Sequence, residues 1–493
     1  MKLGKLFGAM LCLIAVSAGV FMAGMMMGKS SSFAPPLTVL GDVGQVLTVR
    51  KMAEIGAPEK ITLGGTSYKT VKLAELINKA SPQGRVKKIF FVASDGFTSA
   101  IEAEGWDQSY ISFSQKNGWI ALNLHYPISA NAKMIQEIVV VCDSGPAQNS
   151  FTLISGEKLL NYTVGQLYTE MLTSYPYFEG QATVEHEGIT YASEVFTRRR
   201  VFRLGDLTSL DREAKVMLWG EKGEYQLADE NGYFELCGNH INYIRPESRE
   251  DLEMVRLAVI NPPSVNITDT YYDALHYLKK GENVLVVTLG GLSYDTYQYA
   301  VKEGCAPFLT KNARVAASMG VYPLKANVWL AAMLTGLSPA ENGVLNEHDH
   351  TLPVNTLFSK AKETGKKALL LEADHLFAVD ILSTVRDDNG SGSTDDEIYA
   401  RLLKSIDDGY GFIIARFDSI GSANMRFGKQ SAQAEHAIAQ IDSFLDEIAS
   451  KWQGKIIVTA VPGENSGETV ALSRESMCVP YFFLSGKDQR TGK

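Results

Sequence analysis

The chain has 493 residues, of which 45% are hydrophobic and 21% are charged. This composition is typical of globular protein with room for about two to four domains, and it excludes wholesale disorder. The formal net charge is −9 and no long basic run occurs. We therefore expect no nucleic-acid binding, because that function needs a positive surface that neutralises phosphates.

A long uncharged stretch opens the chain. Leu6–Gly28 carries no charged residue and follows Lys2 and Lys5. A membrane-spanning helix needs about 20 apolar residues, whereas the apolar core of a secretory signal peptide has about 7–15. We therefore predict an uncleaved signal anchor at residues 1–29, with an exported, membrane-anchored body facing the extracytoplasmic side. The alternative is a cleaved signal peptide and a secreted protein, because residues 16–18 are small enough for a cleavage site.

After a spacer at residues 30–41, two similar segments follow each other. Both alternate β-branched and aromatic residues, and both contain an Asn-Gly turn, at 117–118 and at 231–232. This pattern is typical of short strands joined in hairpins. It predicts an internal repeat of two tandem, small β-rich domains at 42–145 and 150–263.

The first β-rich domain contains Ser67–Ile77 (SYKTVKLAELI) and Phe90–Ile101 (FFVASDGFTSAI). These stretches resemble the molybdopterin-binding domain of the sulfite oxidase type. The resemblance implies a redox module in which a cysteine thiolate holds molybdenum. Residues 30–141 contain no cysteine, and Cys142 falls on the last predicted strand of the domain. We therefore expect no cofactor there, and a molybdopterin-type redox module is our third interpretation of the chain.

The cysteines outside the N-terminal stretch are widely spaced and form no Cys-x-x-Cys pair. They are Cys142, Cys237, Cys305 and Cys478. Zinc and iron–sulfur sites usually need closely paired cysteines, so neither is indicated. Three disulfide pairings remain open, and free thiols are the other possibility.

The residue pattern changes after residue 270, where short apolar runs alternate with amphipathic segments. The runs predicted as buried strands are Val284–Leu289, Ala368–Leu371, Phe412–Phe417 and Ile456–Ala460. The segments predicted as helices are Thr270–Lys280, Ala326–Leu334, Val354–Thr364, Asp395–Asp407 and Ser431–Trp452. Such alternation predicts an α/β domain at 270–493, with a parallel sheet covered by helices on both faces.

Two motifs of this domain carry a family resemblance. They are Ala306–Thr310 (APFLT) and Met333–Val344 (MLTGLSPAENGV). They resemble the alkaline phosphatase superfamily in its type I phosphodiesterase/nucleotide pyrophosphatase branch, and the resemblance extends over residues 283–485. It implies an alkaline-phosphatase-like fold and the hydrolysis of phosphoric esters. It also implies a Thr or Ser nucleophile and two divalent metals, such as zinc or manganese, which activate that nucleophile and stabilise charge on the phosphoryl group.

The positions at which that family carries its chemical groups hold other residues here. The strand-end Asp, the nucleophile, a His, a second Asp and a second His correspond, in that order, to Gly290, Ala326, Ser422, Val461 and Pro462. Asp418 is the one expected metal ligand that the sequence keeps. Because divalent metals need carboxylate or imidazole ligands, we expect no catalytic residues and no cofactor in this domain.

One cluster offers a different metal site. Potential ligands occur consecutively at Glu347, His348, Asp349 and His350, just after the second motif. A solvated loop explains the same residues without a metal. Our second interpretation is therefore a divergent metal-dependent phosphodiesterase that uses Asp418 with this cluster.

Our first interpretation is a binding or scaffolding protein of the cell envelope with a degenerate, non-catalytic phosphodiesterase-like domain. Its partner would be an envelope protein, a glycan or an anionic ligand.

Overall fold

The computed structural model describes most of the chain that follows the N-terminal stretch. The described residues are 34–143, 150–170, 174–229, 232–245, 248–373, 376–377, 382–463 and 472–486. The signal helix predicted at residues 1–29 lies outside them. Every helix in the described ranges is too short or too polar to cross a membrane.

The chain divides into two compact units. One consists of Met1–Asn149 together with Thr163–Glu170, and the other of Ser150–Tyr162 together with Met171–Lys493. The chain therefore leaves the first unit after residue 149 and contributes residues 163–170 to it again. The fold is α/β, with five sheets among the described residues.

Two five-stranded sheets form the first unit. Its strands are β1 Leu37–Gly41, β2 Leu47–Val49, β3 Glu59–Leu63, β4 Thr66–Lys72, β5 Val86–Ala93, β6 Thr98–Glu102, β7 Ser109–Ser114, β8 Gly118–Asn123, β9 Ala132–Lys133 and β10 Ile135–Cys142. Its helices are α1 Met52–Ile55, α2 Leu73–Lys79 and α3 Val164–Glu170, with 3-10 turns at Trp106–Gln108 and Ile128–Ala130. The strand orders are β2-β1-β10-β5-β6 and β3-β4-β7-β8-β9. Along β5, Ile89, Phe91 and Ala93 are buried and alternate with more exposed residues, since one face of the strand covers the core.

A buried carboxylate joins three segments of the first unit. Asp42 follows β1 and is 1% exposed. Its Oδ2 accepts a hydrogen bond from the backbone N–H of Cys142 at 2.8 Å, and its Oδ1 accepts one from Gly165 at 2.7 Å. Gly165 lies in the first turn of α3, where backbone N–H groups lack partners within the helix. Asp42 therefore provides a partner for one of these N–H groups. Burial is the main reason that the pKa of this carboxyl is raised.

Two more five-stranded sheets belong to the second unit. Their strands are β11 Phe151–Ser155, β12 Lys158–Tyr162, β13 Ser174–His186, β14 Ile189–Phe202, β15 Val216–Gly220, β16 Tyr225–Leu227, β17 Tyr233–Cys237, β18 His240–Arg245, β19 Ser248–Leu252 and β20 Val255–Ile260, with the short helix α4 at Leu204–Leu207. The strand orders are β12-β11-β20-β15-β16 and β13-β14-β17-β18-β19. Each order equals that of a first-unit sheet with every strand number raised by ten. The directions match too, because β1 is parallel to β10 and β11 is parallel to β20, while the other neighbours are antiparallel.

The fifth sheet has eight strands and forms the centre of the region predicted as α/β. Its strands are β21 Val265–Asn266, β22 Val284–Gly290, β23 Ala316–Met319, β24 Ala368–Glu372, β25 Leu382–Thr384, β26 Phe412–Phe417, β27 Lys455–Val461 and β28 Cys478–Ser485. Their order is β21-β23-β28-β27-β22-β26-β24-β25. All residues of β22 and β26 are buried, which indicates that both faces of the sheet are covered at its centre.

Ten helices accompany this sheet in the described ranges. They are α5 Asp269–Lys279, α6 Tyr294–Lys302, α7 Pro307–Asn312, α8 Ala326–Thr335, α9 Pro339–Asn342, α10 Leu357–Glu363, α11 Asp395–Asp407, α12 Ser419–Phe427, α13 Ala432–Lys451 and α14 Arg474–Met477. The predicted helices lie within three residues of α5, α8, α10, α11 and α13. Ser431, predicted as the first residue of a helix, instead caps α13, and its hydroxyl accepts from the backbone N–H of Ala434 at 3.1 Å.

One part of the sheet prediction was wrong. The four predicted strands β22, β24, β26 and β27 are mutually parallel, as expected, but β28 is antiparallel to both β27 and β23. The sheet is therefore mixed. A parallel strand after β27 would need a connection that crosses the full length of the sheet, whereas β28 begins near the end at which β27 stops.

Candidate functional site

The carboxyl ends of adjacent parallel strands meet at one edge of the sheet, and this edge holds several of the positions singled out by the sequence. Gly290 is the last residue of β22, and Asp418 directly follows the neighbouring strand β26. A Cβ atom added to Gly290 would lie 2.0 Å from Asp418 Oδ1. The carboxylate of Asp418 therefore fills the space into which a side chain at position 290 would extend.

Asp418 is held there by a buried cation. Arg416 Nη2 lies 2.9 Å from Asp418 Oδ1, and the side chains of Arg416 and Asp418 are 1% and 22% exposed. A guanidinium this deeply buried requires a nearby carboxylate, because an uncompensated charge in the interior is costly. The positive charge of Arg416 also opposes the approach of a metal cation to Asp418. The retained carboxylate thus takes part in an ion pair within the protein.

Three glycines close the same edge. They follow β22, lie in the first turn of α12 and follow β27, and they are Gly291, Gly421 and Gly463. A Cβ at Gly291 would lie 2.5 Å from the Cα of Gly421 and 3.5 Å from the Cα of Gly463. Gly291 also has a φ of +74°, in the left-handed region that favours glycine. Three backbone segments therefore approach each other more closely than side chains would allow.

A cavity of about 370 Å³ adjoins these glycines. Val461 and Pro462, which stand at two expected ligand positions, both line it. Its other lining residues are Gly291, Leu292, Ser293, Leu324, Gly421, Asn424, Met425, Lys429, Gly463, Glu475, Ser476 and Val479. Lys429 Nζ and Glu475 Oε1 form an ion pair at 2.6 Å. The cavity is thus largely apolar, with one charge pair.

Ser422 lines a different cavity, of about 300 Å³, together with Asp418, Asp387 and Asp395. Asp395 is 1% exposed, and its two oxygens accept from the backbone N–H groups of Asp418 and Ser419, each at 2.9 Å. It therefore caps the start of α12. Burial is the main reason that the pKa of Asp395 is raised.

Ala326, at the expected nucleophile position, is the first residue of α8, whose following residues are all buried. Leu324, two positions earlier, is the residue of this segment that lines the larger cavity. The methyl group of Ala326 has no atom capable of nucleophilic attack. The segment that precedes α8 thus contributes one apolar side chain, Leu324, to the lining of that cavity.

Three of the four side chains of the Glu347–His350 cluster have separate partners. Glu347 Oε2 pairs with Lys325 Nζ at 2.8 Å, and this hydrogen bond lowers the pKa of Glu347. Asp349 Oδ2 accepts from the backbone N–H of Leu345 at 2.7 Å, and His350 Nδ1 lies 3.0 Å from the carbonyl oxygen of Leu376. Among the described residues, no three His, Cys, Asp or Glu side chains are grouped so as to hold a metal ion.

The four cysteines named from the sequence are not joined to each other by disulfide bonds. Cys142 and Cys478 are buried, while Cys237 and Cys305 are half-buried. Burial raises the pKa of the thiols of both Cys142 and Cys478 to about 11. Both therefore remain protonated at neutral pH.

Sequence reasoning missed Arg416 and Asp395. A signal for Arg416 was present, because a charged residue within the otherwise apolar run Phe412–Phe417 indicates a buried cation in need of a counter-charge. Asp395 gave a weaker signal, since an acid in the first turn of a predicted helix is ordinary. Its link to Asp418 and Ser419 depends on tertiary structure.

No family model matches the sequence, and no curated protein matches it. Among solved structures, the chain is similar to a phosphonoacetate hydrolase from Sinorhizobium meliloti 1021, with 16% identity and a TM-score of 0.30 over 36% of this chain and 55% of that one. It is also similar to murine ectonucleotide pyrophosphatase/phosphodiesterase 5, with 14% identity and a TM-score of 0.30 over 37% of this chain and 57% of that one. A third is a protein in the alkaline phosphatase superfamily from Vibrio parahaemolyticus, with 12% identity and a TM-score of 0.32 over 45% of this chain and 68% of that one. The chain thus spans little more than half the length of the first two.

Proposed function

We propose that this chain is an exported, membrane-anchored protein whose residues 270–493 form a degenerate, non-catalytic phosphodiesterase-like domain. In this proposal the domain binds or scaffolds at the cell envelope. The motifs at Ala306–Thr310 and Met333–Val344 support the family assignment. The uncharged stretch Leu6–Gly28 supports the anchor.

The proposal rests mainly on which residues stand at the carboxyl ends of the strands and on the contacts that they make. A two-metal mechanism needs several carboxylate and imidazole ligands there. Gly290 instead leaves its side-chain space to the carboxylate of Asp418, and Arg416 pairs with that carboxylate. These contacts fill the space beside Gly290 with protein atoms and place a positive charge beside the one retained acid.

The fold persists without metal because apolar burial supports it. The sheet strands β22, β26 and β27 are almost wholly buried and belong to one large hydrophobic core. Burial of that kind is the dominant stabilising term of a globular domain and needs no ligand. Loss of the chemical groups is therefore compatible with retention of the architecture.

A binding role is supported by the cavity at the same edge. Its volume of about 370 Å³ and its lining by Leu292, Leu324, Met425 and Val479 are those of a site for a small group. The occupant in this proposal comes from an envelope protein, a glycan or an anionic ligand.

We also propose that residues 42–145 and 150–263 are two copies of one β-rich domain. Support comes from the equal strand orders of their sheets and from the equal directions of the strand pairs. A five-stranded sheet can adopt many strand orders, so two sheets seldom share the same order and the same strand directions by chance. A molybdopterin-type redox role for the first copy remains an outcome that metal analysis would reveal.

Metal analysis with an activity assay tests the main proposal. The full chain, purified in detergent, is examined by mass spectrometry for zinc, manganese and molybdenum, and is assayed on a generic phosphodiester with added Zn²⁺ or Mn²⁺. We expect no stoichiometric metal and no turnover. Stoichiometric zinc or manganese with turnover that Asp418→Asn abolishes would establish the divergent hydrolase instead. Stoichiometric molybdenum would establish the redox interpretation.

A further inference from the structure

One end of the first unit brings two exposed apolar side chains together. Phe97, in the turn between β5 and β6, is 48% exposed, and Met134, directly before β10, is 54% exposed. The backbone N–H of Ala93 donates to the carbonyl oxygen of Phe97 at 2.8 Å. The next residue, Ser94, donates in the same way to the carbonyl oxygen of Met134 at 3.0 Å. Phe97 and Met134 therefore lie beside the same turn, and we call their two side chains the apolar tip.

Local stability does not explain an apolar residue at position 134. Met134 has a φ of +54°, a backbone conformation that is uncommon for residues other than glycine and asparagine. Glycine or asparagine would adopt this conformation more easily and would also expose less apolar surface to water. A methionine at this position becomes favourable only when an apolar environment covers its side chain.

The described chain enters the first unit at this same end. β1 is parallel to β10, so the residues before β1 lie at the end of the sheet where Met134 precedes β10. The indole Nε1 of Trp119 donates to the carbonyl oxygen of Pro35 at 2.6 Å. The residue before Trp119 is Gly118, and a Cβ added there would lie 3.3 Å from the Cα of Met134. Pro35 is therefore held near the apolar tip.

The sequence before Pro35 brings a membrane within reach of that end. Leu6–Gly28 is the stretch that we propose as the membrane anchor, and only residues 29–33 separate it from Ala34, the first residue that the structure describes. From Gly28 to Ala34 even a fully extended chain spans at most about 20 Å. A chain anchored by Leu6–Gly28 therefore keeps Pro35, and the apolar tip beside it, close to the membrane surface.

Two exposed lysines flank the apolar tip. Lys133 directly precedes Met134, and Lys116 precedes Asn117, whose carbonyl oxygen accepts from the backbone N–H of Met134 at 2.8 Å. Asp95 is the one acid in the turn that contains Phe97. Ammonium groups are attracted to the phosphates of lipid headgroups, so these lysines favour the approach of this end of the unit to a bilayer.

We propose that the apolar tip inserts into the surface of the lipid bilayer that holds the anchor, with Lys116 and Lys133 at the level of the headgroup phosphates. This inference rests on the anchor proposed above. Aromatic side chains are favourable at the boundary between headgroups and acyl chains, and apolar groups of bound proteins reach about 5–10 Å into it. The bilayer thus supplies the apolar cover for Phe97 and Met134. The contact also fixes which end of the first unit faces the membrane.

Spin-label accessibility in the full chain, reconstituted in vesicles of phosphatidylethanolamine and phosphatidylglycerol, tests the contact. Phe97→Cys and Met134→Cys place the label on the apolar tip, whereas Glu104→Cys, exposed beyond the far end of β6, is the matched control. Oxygen concentrates in the bilayer and a nickel chelate stays in water. The ratio of collisions with oxygen to collisions with the chelate should be at least about five-fold higher at positions 97 and 134 than at position 104.

The native thiols are silenced so that each label reports one position. Cys12→Ser, Cys237→Ser and Cys305→Ser remove the thiols that could react, while Cys142 and Cys478 are buried. Equal ratios at all three labelled positions would overturn the proposal. Labels at 97 and 134 that are shielded from both reagents would show that protein covers the apolar tip, and would also overturn it.

Flotation of the vesicles separates this inference from the proposed anchor. A chain that does not float with the vesicles would contradict the anchor and, with it, the present inference. A chain that floats while its labels at 97 and 134 remain in water would leave the anchor standing and overturn the contact of the apolar tip alone.

Charge reversal tests the role of the two lysines. In the labelled Met134→Cys chain, Lys116→Glu combined with Lys133→Glu should lower the collision ratio at least about two-fold, because headgroup phosphates repel carboxylates. Lys87→Glu, which changes an exposed lysine at the far end of β5, should leave the ratio unchanged. A ratio that Lys116→Glu and Lys133→Glu do not lower would contradict the placement of these lysines at the headgroups. Circular dichroism confirms that each variant is folded.

Discussion

At the residue scale, Gly290 shows how neighbouring groups occupy the space beside a strand end that has no side chain. The Asp418 carboxylate occupies the space beside Gly290. Arg416, on the neighbouring strand β26, holds that carboxylate in an ion pair. The glycine is therefore required by its neighbours, since any Cβ at this position meets an oxygen atom. Packing and charge compensation thus determine which residue fits at position 290.

Gly290→Ala tests this requirement. The added methyl group would lie 2.0 Å from Asp418 Oδ1, so we expect a loss of about 1–3 kcal/mol in the free energy of unfolding. Urea denaturation measures it, with Gly205→Ala as the matched control, because a Cβ at Gly205 meets no atom within 4 Å. The cost of Gly290→Ala should shrink in an Asp418→Ala background. Equal costs in both backgrounds would contradict the contact.

Asp418→Ala tests the buried ion pair. It removes a carboxylate from a guanidinium whose side chain is 1% exposed, and we expect a cost of about 3 kcal/mol in the free energy of unfolding. Adding Arg416→Leu should recover part of that loss, since the buried charge is then gone. Glu347→Ala, in the exposed pair with Lys325, should cost less than about 1 kcal/mol. If Asp418→Ala cost no more than Glu347→Ala, the pair would not be a stabilising feature.

At the element scale, α12 begins at the same edge of the sheet, and its first backbone N–H groups are already satisfied. Asp395 accepts from both Asp418 and Ser419. The positive end of the helix, a common binding site for phosphate, is thus neutralised by a buried carboxylate of the protein itself. This arrangement supports the proposal that this edge of the sheet binds no phosphoryl group for hydrolysis.

Asp395→Asn gives a pH-dependent prediction for this helix end. Burial raises the folded-state pKa of Asp395 above its ordinary value of 3.8, so the folded protein binds this proton more tightly than the unfolded chain does. The stabilising effect of Asp395 relative to Asn is therefore greatest below about pH 4, and it decreases as pH rises through the raised pKa. Urea denaturation of both proteins between about pH 3.5 and 7 measures the difference. A difference that grows with pH would have the wrong sign.

The elements with strong local patterns were predictable from the sequence. The strand Phe412–Phe417 and the helix Asp395–Asp407 have the predicted bounds, because continuous apolar runs and amphipathic periodicity are local properties. The direction of β28, the close approach of Gly291 to Gly421 and the length of β13 and β14 were not predicted. Each of these depends on which distant segments meet, and a local pattern carries no information about that.

At the scale of the whole molecule, removing metal distinguishes a domain that apolar burial stabilises from one that bound metal ions stabilise. We expect excess EDTA to change the melting temperature of the full chain by less than about 1 °C, because the second-unit core is apolar. A drop of several degrees that added Zn²⁺ reverses would show that a bound metal stabilises the fold.

Membrane attachment is tested by deleting residues 6–28. The wild-type chain should remain with membranes after alkaline carbonate extraction, and its body should be accessible to protease from the extracytoplasmic side. The deletion variant should appear in the soluble fraction. Recovery of the wild-type chain in the soluble fraction, with a shortened N-terminus found by mass spectrometry, would instead support a cleaved signal peptide.

Under the proposed ancestry, the close contacts at the strand ends also bear on whether the family's chemistry could return. Gly290→Asp, the first reversion that selection would need, must displace the Asp418 carboxylate before it offers a ligand to any metal. Each single-step path back to hydrolysis therefore passes first through a less stable protein. The proposed loss of catalysis is therefore hard to reverse by single substitutions. A selection for phosphodiesterase activity should recover that activity only through several simultaneous substitutions.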